Sequence, residues 1–110
     1  MRTVVGIRSN SRTRQASRLS EGPTPTVWFA SWRHLAGVLS DENRALLRLM
    51  HEKQPRTVLE LAGLSGRAAS NLSRTLRNLE GYGLVKLHRS PDTRAVRPEA
   101  LVTEFIVVLD

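Results

Sequence analysis

The chain contains no cysteine, which excludes a disulfide framework and thiolate metal ligation. It has no apolar run near the roughly 18 residues that a bilayer-crossing helix needs. Its beginning, "MRTVVGIRSNSRTRQ", turns polar too soon for a signal peptide. A cytoplasmic protein with no membrane partner is therefore expected. Aromatic residues make up only 5%, and they fall mostly at core or boundary positions, which argues against stacking on single-stranded nucleic acid. His34, His51 and His88 stand apart, with no His-x-His or His-Glu-x-x-His spacing for a metal. There is no Gly-x-Ser-x-Gly, and "GLSG" is too short to cradle a phosphate. Neither catalysis, nor a cofactor, nor a metal is expected. Lysine is also nearly absent, at positions 53 and 86 alone.

Within 110 residues, 40% of them hydrophobic, there is room for one domain and a modest core. Seventeen Lys and Arg against 10 Asp and Glu leave a net charge of +7. A basic surface attracts polyanions, and arginine forks suit phosphates and guanine edges. Seven of the cations (67, 74, 77, 86, 89, 94 and 97) lie between Leu64 and Pro98, where only Glu80 and Asp92 oppose them.

Three zones follow one another. Residues 1–26 form a basic N-terminal segment with a short β-type run, Thr3 to Ile7, and a stretch from Ser9 to Leu19 too poor in apolar residues to pack a helix face. "EGPTPT" breaks the chain. From Val27 to Gly83 the pattern is helical. Ser31 caps a helix with Trp32, Leu35, Ala36 and Leu39 on one face. Ser40 caps a second, with Asp41 and Glu42 in its first turn and Leu46, Leu47, Leu49 and Met50 as its apolar face. Thr57 and Glu60 fit a capping box for a brief third helix that stops near Gly63. Ser65 caps a fourth that runs to Glu80, with Gly81 at its end. The last zone is β: "LVKLHR", a turn at "SPDT", a return strand "RAVRP", and a final strand with Phe105 to Leu109 apolar on both faces.

A short helix, a turn and a longer basic helix make the helix-turn-helix plan. Ala68, Leu72, Leu76 and Leu79 recur at three or four and predict the buried stripe. The other face carries Arg67, Ser70, Asn71, Arg74, Arg77 and Asn78, with no carboxylate before Glu80. An ordinary solvated face mixes signs; this one suits phosphates and base edges. Arg89 and Arg94 then flank a hairpin tip that can reach a minor groove. Candidate DNA-binding residues are Thr57, Arg67, Ser70, Asn71, Arg74, Arg77, Arg89 and Arg94. The other reading of the same residues is a winged-helix module for protein–protein contact without DNA binding.

The stretch "TVLELAGLSGRAASNLSRTLRNLEGYGLVKLHRSPDTRA" resembles the winged helix-turn-helix of MarR-type regulators, with its Leu-Glu-x-x-Gly-Leu-Val ending and an Asp-Thr-Arg wing where that group has Asp-Arg-Arg. Most of the chain is similar to the small antitoxin-type regulators of bacterial toxin–antitoxin pairs. The resemblance implies an autoregulating repressor that binds double-stranded DNA, with a cognate toxin protein as partner. The expected fold is α+β: a winged helix-turn-helix over residues 27–110, with a C-terminal β-hairpin wing and additional terminal strands. A homodimer built from the two apolar ends is expected, with residues 1–26 as its dimerisation segment.

Overall fold

The computed structural model describes residues 2–7 and 25–109. The expectations for Ser9 to Leu19, and for residues 21–24 of the chain break, lie outside the described residues. The elements are β1 (Arg2–Ile7), β2 (Val27–Phe29), α1 (Trp32–Val38), α2 (Asp41–Lys53), α3 (Val58–Ser65), α4 (Ala69–Gly81), β3 (Val85–Arg89), β4 (Val96–Ala100) and β5 (Glu104–Leu109).

Two sheets form. β1 lies between β2 and β5, parallel to both, so the chain's two ends meet in one sheet. Val5 pairs with both Val27 and Val107 and is fully buried. Phe105 to Leu109 thus pair with Thr3 to Ile7 of the same chain. At Gly6 the backbone comes close to the Trp28 indole; a Cβ there would lie 2.7 Å from the ring. β2 was not anticipated, because Val27 to Phe29 reads as the start of a helical zone. β3 and β4 form the second sheet, an antiparallel hairpin. Val85, Leu87, Pro98 and Ala100 are buried on its inner face, while Lys86 on the outer face is exposed.

Capping explains the helix starts. The Ser31 hydroxyl accepts from His34 N–H, Ser40 from Asn43 and Thr57 from Glu60, at 3.0–3.1 Å. The capping box closes differently from the expectation: the Glu60 carboxylate accepts from Arg56 N–H, one residue before the cap, at 3.3 Å. Three boundaries also differ. α3 runs past Gly63 to Ser65 and ends at Gly66, whose φ is 76°. Ser65 therefore closes α3 instead of capping α4, and Ala68 precedes α4 with no side-chain cap. Gly81 remains helical; the residue that turns left-handed is Gly83, at φ 77°. Its N–H reaches Glu80 O and the next, Leu84 N–H, reaches Leu79 O, the paired bonds of a Schellman ending.

One core joins the parts. Leu46, Leu47, Met50, Leu61, Leu72, Leu76, Leu79, Leu84 and Val85 pack with Val5, Ile7 and Phe29. Each buried leucine contributes about 1.5–3 kcal/mol relative to exposure. Two apolar-face expectations fail at the edges of this core. Ala68 is exposed, because it sits in the turn and not within α4. Trp32 and Ala36 are also exposed, since α1 buries Leu35 and Val38 instead. A short helix, a turn, a longer helix and a hairpin around this core make an α+β winged helix-turn-helix.

Candidate nucleic-acid interface

The candidate interface centres on α4. Leu72, Leu76 and Leu79 lie on one side and are wholly buried, which fixes the rotation of the helix. On the opposite side Ser70, Asn71, Arg74, Arg77 and Asn78 are all exposed. At 100° per residue these positions fall within about a third of the helix circumference. The side chains of Ser70, Asn71 and Arg74 make no hydrogen bond or ion pair among the described residues, so their donors are available to a ligand. Arg77 leans back along the helix, its Nε donating to Ser73 O at 3.2 Å.

Glu80, the helix's one carboxylate, is turned away from that face. Its Oε2 accepts from Leu87 N–H in β3 at 3.0 Å. This bond ties the wing to the end of α4. The sequence contains the signal, a Glu in the helix-ending motif, but nothing local shows that its partner lies on β3.

Arg67 is placed differently from the expectation. It lies in the turn before α4, half-buried, and both guanidinium amines reach Asn43 Oδ1 at 3.4 Å. Asn43 is held in turn by Val38 O, to which its Nδ2 donates at 3.0 Å. Asn43 was missed because it sits on α2, far from the motif in sequence. Thr57 is half-buried with its hydroxyl engaged as the α3 cap, so it orders the helix start.

The wing carries Arg89 and Arg94 at its turn end. Arg89 closes β3 opposite Val96, and Arg94 lies in the tip between the strands. The tip is shaped by the hydroxyls of Ser90 and Thr93, which accept from Asp92 N–H and Ala95 N–H. Between α4 and the wing runs a cleft of about 360 Å³, floored by Leu76 and Leu87 and walled by Arg77 and Arg89. On the outer face of the wing, His88 Nε2 lies 2.7 Å from Glu99 Oε1. That hydrogen bond, with the charges of His88, Arg97 and Lys86, holds the Glu99 carboxyl below the usual carboxylate range.

A second set of contacts joins α4 to the N-terminal elements. The Tyr82 hydroxyl lies 2.6 Å from His34 Nε2, and the Tyr82 ring stacks on Phe29 at 4.9 Å. No helix among the described residues is long and apolar enough to cross a membrane.

Comparison with known proteins agrees with the architecture. A family model described as HVO_A0114 matches residues 38–106. A crystal structure of MarR superposes with a TM-score of 0.51 at 28% identity, covering 62% of this chain and 51% of that one. The chain thus spans about half the length of the MarR chain. None of the curated proteins matches it significantly.

Proposed function

The chain belongs to the HVO_A0114 family, and from its winged helix and the face of α4 we propose that it is a sequence-specific, double-stranded-DNA-binding transcriptional regulator. One observation carries this reading: the solvent face of α4 presents Ser70, Asn71, Arg74 and Arg77 with its one carboxylate turned inward. In this reading α4 enters the major groove, where Arg74 pairs with a guanine edge and Asn71 with an adenine. Arg77, Arg89 and Arg94 contact phosphates or the minor groove, and Arg67, braced by Asn43, meets the backbone beside the turn. Thr57 presents the amino end of α3 to a phosphate.

The protein acts as a homodimer on an inverted repeat, so that two α4 helices reach half-sites one DNA turn apart, roughly 34–36 Å. Repression of its own promoter completes the reading. A toxin partner is carried by the sequence resemblance alone.

Selection of duplexes from a random pool tests the proposal. An enriched inverted repeat with half-sites about one turn apart is expected, and a pool that retains no motif after several rounds would contradict it.

A further inference from the structure

The three-stranded sheet has one open side. β1 is paired on both flanks, so β5 carries an outer row of backbone N–H and C=O groups with no strand against it among the described residues. The register sets Phe105 opposite Thr3 and Val107 opposite Val5, on the sheet face that joins the core. Cover for that face runs out at β5: Val5 is 0% exposed, whereas Val107 beside it is 41% exposed. Next to Val107 lies a groove of about 500 Å³ lined by Trp32, Leu35, Ala36 and Leu39. Trp32 is itself 56% exposed. Two large exposed hydrophobic residues therefore meet in one groove beside an open strand edge, a combination that invites association.

We propose that a second copy of this chain covers this groove, pairing its β5 antiparallel with the first about a two-fold axis. The inference rests on the dimeric reading above and adds the face that forms the dimer. Strand geometry favours a second copy: about a two-fold axis, β5 is its own antiparallel complement, and each contact is made twice. Charge points the same way. Residues 64–98, which hold α4 and the wing, carry a net +5, and two copies would repel there. The groove rim is mixed in sign, with Asp41 paired to Arg44 and Glu42 beside them, so copies meet here with less repulsion. No groove residue belongs to α4 or the wing, and the basic face stays open to DNA.

Light scattering and sedimentation of the full chain, without DNA, test the face. A dimer is expected at micromolar concentration. Val107→Lys should raise its dissociation constant by about tenfold or more, since it buries an unpaired charge. Trp32→Gln alters an exposed side chain outside the core and controls for misfolding of the first variant; it should weaken the dimer with the circular dichroism unchanged. A monomeric wild type, with the groove left to some other partner, overturns the proposal. So does a dimer that neither substitution weakens. Binding of the same proteins to a single half-site duplex, read in parallel, judges the DNA-binding proposal separately.

Discussion

Replacing Glu80 isolates the bond that holds the wing to α4. The Glu80 carboxylate accepts from the part-buried Leu87 N–H at 3.0 Å. In Glu80→Ala the N–H loses its partner without gaining full access to water, a cost of about 1–3 kcal/mol. Glu80→Gln keeps a carbonyl acceptor of nearly the same reach and loses only the charge assistance; its cost should be about 1 kcal/mol. Urea unfolding gives the two stabilities, and amide hydrogen exchange at Leu87 reports the bond directly. Exchange there should accelerate roughly 5- to 150-fold in Glu80→Ala, the rate equivalent of 1–3 kcal/mol, and much less in Glu80→Gln. A wing free to swing should also lower affinity for random duplex while leaving base preference intact. Unchanged Leu87 exchange in Glu80→Ala would refute the claim that this side chain fixes the wing.

Arg89→Ala and Arg94→Ala should each lower affinity across most sequences and make the log–log salt dependence shallower by about 0.9 per lost phosphate contact, measured by fluorescence anisotropy. Gly83→Ala should cost about 1 kcal/mol by thermal unfolding, because φ is 77° although a Cβ there would meet nothing within 4 Å. The Glu99 carboxyl is held below its ordinary range, chiefly by the His88 hydrogen bond, so its contribution is present above the unfolded-state value and fades as pH falls through the folded one. The difference in melting temperature between wild type and Glu99→Gln should accordingly shrink on acidification through and below the carboxylate range.

The helical half of this fold was legible because its signals are local. Ser31, Ser40 and Thr57 cap their helices as hydroxyl-bearing residues before apolar periods do, and Leu72, Leu76 and Leu79 set the rotation of α4 through spacing alone. The alternation of Val85 and Leu87 with Lys86 likewise gave the wing its inner and outer faces. Errors gathered where a residue's role depends on distant partners. Arg67 looks helical by pattern, yet Gly66 ends α3 late, which leaves Arg67 in the turn against Asn43 on α2. Glycine order misled at the end of α4: Gly81 and Gly83 are both plausible stops, and the Schellman bonds select the second. Trp32 seemed a core residue by its period, but α1 is only 7 residues long and buries its other side. β2 was invisible, since three residues have no period of their own; β1 makes them a strand.

Sequence recognition depends on whether the exposed face of α4 reads bases. The most direct measurement compares wild type with Arg74→Ala on the selected duplex and on a random duplex at one fixed salt concentration. A base-contacting arginine carries about 1–3 kcal/mol of discrimination, so the ratio of specific to random affinity should fall roughly 5- to 150-fold. An equal loss on both duplexes, leaving the ratio unchanged, would contradict the assignment of this face to sequence recognition.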